Sequence, residues 1–187
     1  MLSMRYLLFA VLALWVTPAL AEDRAAARRA QIDDLLAALK NAGSETEAVV
    51  LEGHLRQLWL QAGSPAVTLL MARGLRDLKA ASGQEAEQDF DGAIALDPDV
   101  AEAYDQRALA RFQQGKVADA IRDIEEALKR EPRNFFALRH LAEIAEARKD
   151  WPGAFAAWQK LMAIDPKTPG GEQKLKELRK RAVGESA

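Results

Sequence analysis

Cysteine is absent from the 187 residues. Disulfides, thiolate metal centres, a cysteine nucleophile and a lipid on an N-terminal cysteine are excluded with it. Histidine occurs only twice, as His54 and His140, and neither stands in a His-Glu-x-x-His pair, a phosphate-cradling glycine loop or a nucleophile elbow. A lone histidine without positioned partners is rarely a site, so the sequence predicts no catalytic residue, no metal site and no cofactor. Proline (7) and glycine (11) are scarce in a chain that is 49% hydrophobic, which sets disorder aside and fits one compact domain. An excess of charge of one sign is lacking too. The 26 basic and 28 acidic residues leave a net of −2, with no overall electrostatic case for gripping nucleic acid through its phosphates.

Long apolar runs are missing except at the start. MLSMRYLLFAVLALWVTPALA places Arg5 ahead of an apolar stretch from Tyr6 to Val16, then Thr17-Pro18 and the small-x-small triplet Ala19-Leu20-Ala21 before Glu22-Asp23. This is the pattern of a secretory signal peptide cut between Ala21 and Glu22. Its apolar stretch is shorter than the roughly 20 residues that span a bilayer as a helix, so membrane contact is expected only through the leader before cleavage. An exported chain without disulfides points to a bacterial periplasm.

What the sequence does have is a period. Asp97-Pro98 recurs as Glu131-Pro132 and as Asp165-Pro166, at intervals of 34 residues. A fixed period of this size marks units that bury their apolar faces by stacking on one another. Proline, lacking a backbone donor, ends each helix at the same place. Aligned on these prolines, the middle unit AEAYDQRALARFQQGKVADAIRDIEEALKREPRN carries Tyr104, Ala108, Gly115, Ala120, Ala127 and Pro132, and it resembles a tetratricopeptide repeat. The preceding unit keeps Gly74, Ala86, Phe90, Ala93 and Pro98, with Gly83 two places beyond the usual turn glycine, so a loosened turn is expected there. The following unit keeps Leu138, Ala142, Ala154, Trp158 and Pro166, with Lys149 in place of the turn glycine and Leu161 in place of a small alanine. Trp151 and Trp158 are expected to serve as apolar volume. The resemblance implies an all-α fold, a right-handed α-solenoid of helical hairpins with a concave binding face.

The flanks also read as helix. Ile32, Leu35, Leu36 and Leu39 form an amphipathic stripe that stops at Asn41-Ala42-Gly43, and Leu51, Leu55, Leu58 and Trp59 form a second, opened by a Ser44/Glu47 capping box. The predicted organisation is a leader at 1–21, an amino-terminal helical hairpin at 22–64 that is a divergent repeat or a pair docked on the first repeat, repeats at 65–100, 101–134 and 135–168, and a capping helix with tail at 169–187. In that cap Leu175, Leu178 and Ala182 share one face, and Lys174, Lys176, Arg179, Lys180 and Arg181 lie elsewhere as a solvated surface. Whether the 22–64 hairpin extends the groove or plugs it stays open.

In this family the first helix of each hairpin lines the concave face. Helical spacing then selects a candidate groove of Met71, Leu75 and Lys79 from the first repeat, Glu102, Asp105, Leu109, Phe112 and Gln113 from the second, and Phe136, Arg139 and Glu143 from the third. His140 falls on or near this surface, and His54 at the border of its helix. Apolar residues ringed by charge suit a peptide with apolar anchors. The family's adaptors for heat-shock chaperones clamp a C-terminal carboxylate with Lys, Asn and Arg, where this sequence has Met71, Leu75, Gln106, Phe136 and His140; that clamp is absent. The expected function is a noncatalytic, monomeric interaction module of the cell envelope, holding a protein or peptide partner. Two alternatives stand beside it: a self-associating structural protein, and a soluble accessory subunit of an envelope enzyme or transporter.

Overall fold

The computed structural model describes residues 5–184, with side chains from Asp23 onward. The first four residues of the expected leader, and the side chains of all of it, lie outside what is described. Nine helices make up the described residues: α1 (Arg5–Lys40), α2 (Glu45–Leu60), α3 (Pro65–Lys79), α4 (Gly83–Leu96), α5 (Ala101–Gln113), α6 (Val117–Arg130), α7 (Phe135–Ala147), α8 (Trp151–Ile164) and α9 (Gly171–Val183). Among the described residues no helix is long and apolar enough to cross a membrane.

Local chemistry sets the helix ends. The Ser44 hydroxyl accepts from the Glu47 N–H, while the Glu47 carboxylate reaches back to the Gly43 N–H, one residue earlier than in a standard capping box. Ser64 accepts from the Val67 N–H, with Pro65 in the first turn of α3, so this Ser-Pro pair opens a helix. Asn134 caps α7 and Asp150 caps α8.

The pairs α3/α4, α5/α6 and α7/α8 are antiparallel hairpins, each stacked on the next, with α9 against α8. Small residues permit the close approach. Ala86, Ala93, Ala108, Ala120, Ala127, Ala142 and Ala154 are fully buried, and a Cβ added at Gly74 would lie 2.7 Å from the Phe90 ring. The first helices touch their counterparts, α3 with α5 and α5 with α7, whereas no comparable contact joins α4 to α6 or α6 to α8. A stack drawn together on one side and splayed on the other is curved, with α3, α5 and α7 on its concave side.

The turn inside each hairpin is the same in all three units. Ala81, Gly115 and Lys149 each take the left-handed conformation, at φ 59°, 76° and 60°. The next residue donates five positions back in every case: Ser82 to Asp77, Lys116 to Arg111 and Asp150 to Ala145, at 2.8–2.9 Å. The loosened turn expected near Gly83 does not occur, because Ala81 adopts the glycine conformation instead. Gly83 serves another purpose, since a Cβ there would press on the Ala110 carbonyl oxygen at 3.1 Å.

The amino-terminal hairpin is not a fourth stacked unit. Leu60 and Ala62 at its end touch the first repeat, but its apolar side, Ile32, Leu36, Leu39, Leu55 and Trp59, shares a core with Phe135, Phe136, Leu138, Trp158, Leu161 and Leu178 from the third repeat and the cap. Chain connectivity joins this hairpin to the first repeat, and packing joins it to the third. At the other end Leu161, the large residue where a small one was expected, is fully buried against α9 through the cluster that contains Leu178. Trp158 donates its indole N–H to the Gly171 carbonyl at 3.0 Å, and Trp151 lies beneath the Arg181 guanidinium.

Candidate functional site

The concave face divides into a covered half and an open half. The covered half lies near the starts of α5 and α7. Glu102, Asp105 and Phe136, expected to line an open groove, are 2%, 0% and 2% exposed. The residue that covers Phe136 is plain from geometry: Arg56 of α2 stacks on its ring at 3.8 Å, and the Trp59 indole packs edge-on to it with centroids 6.1 Å apart. Arg139 is also engaged, donating to the Glu52 carboxylate at 2.9 Å and to the Thr168 hydroxyl at 2.7 Å. Helix α2 therefore plugs this part of the face. Met71 corrects the expectation in another way: it is buried inside the first repeat beside Val67 and Phe90.

The open half lies toward the ends of the inner helices. Leu75, Leu109 and Phe112 are half-buried there, and Lys79, Gln113 and Glu143 are exposed. Gln113 also donates to the Leu78 carbonyl at 3.2 Å, tying α5 to α3.

Beneath the plug lies a buried polar chain. His140 Nδ1 is 2.9 Å from the Asp105 carboxylate, Gln106 donates to Glu102 at 2.9 Å, and Asn134 donates to Glu102 at 3.3 Å. Burial, with the Asp105 carboxylate beside it, pushes Glu102 up to about 7, partly offset by Gln106, His140 and Arg56. Burial works against a charged His140, but attraction and hydrogen bonding from Asp105 outweigh it and raise the imidazole. A second acidic pair sits at the same seam. Asp165, from the turn after α8, is buried against Glu52 and pushed up to about 7, by burial first and then by the Glu52 carboxylate. Its Oδ2 receives no donor. A proton kept there would be donated to Glu52 and would satisfy both oxygens.

These groups support the joint between α2 and the array. Their partners are side-chain amides, an imidazole, a guanidinium and a hydroxyl; Glu102 borders a cleft of about 430 Å³ between α1 and the start of α5 but is itself only 2% exposed, and Asp105 and Asp165 are fully buried. Among the described residues no group of three or more His, Asp and Glu side chains could hold a metal ion. His54 is exposed on α2, away from this network.

One arrangement escaped the reading of the sequence. Arg73 forks onto Asp89 in the first repeat, and Arg107 onto Asp123 in the second, through Nε at 2.9 Å and Nη2 at 2.6 Å. The equivalent third-repeat positions are Leu141 and Ala157, which join the large apolar core. An Arg and an Asp 16 residues apart, repeated after 34, were a visible signal. Arg111 adds to Asp123 at 2.8 Å and to Glu87 at 2.9 Å. Burial would raise Glu87, but hydrogen bonds from Lys116, Arg111 and Gln114 hold it at about 2.

Residues 106–170 match the tetratricopeptide repeat family model. Over that stretch, the second and third units, the chain is similar to tetratricopeptide repeats. It is 29% identical over 154 residues to a TPR repeat-containing protein of Rhizobium etli, covering 82% of this chain and 76% of the relative. It is 42% identical over 76 residues to mouse RNA polymerase II-associated protein 3, covering 38% of this chain and 12% of that one. Among solved structures, the first TPR of Spaghetti bound to an HSP90 peptide superposes with a TM-score of 0.60 at 18% identity, over 65% of this chain and 96% of that domain. The TPR2B domain of yeast Sti1, in complex with an Hsp70 peptide, does so with 0.58 at 19% identity, over 66% and 100%. These likenesses establish the fold. Of the residues matched above to the clamp's Lys, Asn and Arg, Met71 and Phe136 are buried, Gln106 is bonded to Glu102 and His140 to Asp105.

Proposed function

We propose that the protein is a noncatalytic interaction module that holds a polypeptide segment on the concave side of its TPR array. The observation that carries this reading is the open half of that side: half-buried Leu75, Leu109 and Phe112 on adjacent inner helices, edged by exposed Lys79, Gln113 and Glu143. Apolar anchors within a polar rim suit a peptide chain, and the array supplies them on rigid helices. TPR domains of the same fold are solved with HSP90 and Hsp70 peptides, which supports a peptide as the kind of ligand, although the chaperone clamp is not built here. The leader-like first 21 residues and the absence of cysteine support an exported, periplasmic monomer whose partner belongs to the cell envelope.

The test is a photocrosslinking amino acid placed at Phe112 and, as control, at the exposed Glu125 of α6, with the protein expressed in its own source. A polypeptide adduct from position 112 that is missing from position 125 is the expected result. Adducts with no other protein, or only with further copies of this chain, would replace the reading with self-association. Exposed Leu69 on α3, 67% accessible beside Pro65 and Ala72, would then be the first surface to change.

A further inference from the structure

Four side chains of α2 at successive i, i+3, i+4, i+7 positions face the array: Glu52, Leu55, Arg56 and Trp59. Glu52 meets Arg139 and Thr168, Arg56 lies over Phe136, and Trp59 packs against Phe135 and Phe136 with centroids 5.5 and 6.1 Å away. This is how an amphipathic helix lies in a groove, with an indole as anchor and a carboxylate two turns earlier to fix its register. The covalent attachment of this helix to the array is short, residues 61–64, where the Ala62 carbonyl accepts from Arg28 at 2.5 Å.

The fit of α2 in its seat is imperfect at its anchor and conditional at its carboxylate. The Trp59 indole N–H is buried without an acceptor, and the Glu52 carboxylate faces the Asp165 carboxyl, a contact that holds only while a proton is kept between them. The unmatched indole costs binding free energy that a ligand of better chemistry would recover, and loss of that proton would add to the cost. Against this, tethering gives α2 an effective concentration that a free ligand must exceed, so the chain alone is closed.

We infer that α2 is an intramolecular ligand of the concave face, and that its seat takes a partner's amphipathic helix bearing an aromatic anchor and a carboxylate about two turns apart, the hairpin swinging away on residues 61–64. The inference rests on the peptide-binding reading above and adds to it the class of partner and an autoinhibitory contact. The partner is a helix because the seat already holds one. Arg139 and Phe136 select an acidic, aromatic face.

The probe is a fluorescein-labelled peptide of residues 45–62, beside the same peptide with Trp59→Ala. It is titrated into the full chain and into a full chain carrying Arg56→Ala and Trp59→Ala, which weaken the lid and leave the seat intact. The unmodified peptide should bind the double variant at least tenfold more tightly than the native chain, and the Trp59→Ala peptide should lose that gain. Equal affinity for both chains, or no binding to a double variant of native helicity, overturns the inference. Should the variant fail to fold, hydrogen exchange on the native chain tests the lid independently. Isolated short helices are marginal, so lid opening exposes their amides as one unit. Amides of α2 and residues 30–40 should exchange together and faster than those of α5 and α6; protection equal to that of α5 would make the hairpin a permanent part of the core. Position 112 lies outside the seat, so an adduct there with a lid that never opens would leave the interaction reading standing and remove this one.

Discussion

Ala81 and Lys149 show that a turn can be fixed by its surroundings against the preference of its own residue. Both hold the left-handed conformation that Gly115 adopts without cost, and for an L-residue that conformation costs about 1–2 kcal/mol. The stacked hairpins and the five-back hydrogen bond enforce it. Replacing either residue with glycine should stabilise the chain by about 0.5–1 kcal/mol, read as a higher urea midpoint with an unchanged slope. A lower midpoint at both sites would mean that glycine's freedom in the unfolded chain outweighs the relief. The glycine at 115 was legible in the sequence because it is the residue the turn prefers. The same turn at 81 and 149 was not, because sequence shows preference and these positions obey geometry. The Arg107–Asp123 fork makes the opposite point. Asp123 is 3% exposed and accepts from two arginines, so Asp123→Ala removes their shared buried partner, leaves Arg107 only Asp91 and Arg111 only Glu87, and should cost about 2 kcal/mol in denaturant unfolding.

The elements themselves were readable, and their arrangement was readable only where it repeats. Three units at a fixed period announce hairpins that stack on their neighbours, and the helices fall where proline and the caps put them. Helix α2 was legible as an amphipathic helix from Leu51, Leu55, Leu58 and Trp59. The surface it covers was not, because the pairing of Glu52 with Arg139 joins distant segments with no local pattern, and Arg139 read as a residue of the open groove. Half of the candidate groove was therefore taken as open when α2 fills it. The seam carries a pH signature of definite sign. Glu102, faced by Asp105 and Gln106 on its own helix, by Asn134 at the cap of α7 and His140 within it, and by Arg56 from α2, is raised to about 7, and so is Asp165 against Glu52. A carboxyl whose pKa is higher folded than unfolded stabilises the fold fully below its unfolded value and loses that contribution as pH rises through its folded value. Raised His140 loses its contribution as pH climbs past its own folded value, in the same direction. Glu87, held at about 2, works oppositely and loses its contribution as pH falls from about 4.5 toward 2. The urea midpoint should thus peak near pH 5 and decline toward pH 8. A midpoint that keeps rising to pH 8 would show that the buried carboxyls are ionised at no cost.

On the scale of the whole molecule, the hairpin changes what kind of object the array is. A solenoid is quasi-one-dimensional: each repeat touches only its neighbours, and unfolding can begin at an end and spread. Here the α1/α2 hairpin, attached to the first repeat, builds its core with the third repeat and the cap, and Asp33 of α1 meets Arg133 in the turn between the second and third. Such closure couples the two ends, so the repeats should melt together. Trp59 is the side chain on which this coupling most depends, buried between Phe135 and Phe136. Trp59→Ala should cost about 3–5 kcal/mol, the usual range for truncating a large core aromatic, and should also divide the transition. The readout is calorimetric. For the native chain the calorimetric and van't Hoff enthalpies should agree, as they do for a two-state unit, and in the variant the calorimetric value should exceed the van't Hoff value as the first repeat melts apart from the third. Loss of stability with the ratio still at unity would place the cooperativity in the stacking of the hairpins and reduce the amino-terminal pair to a cover.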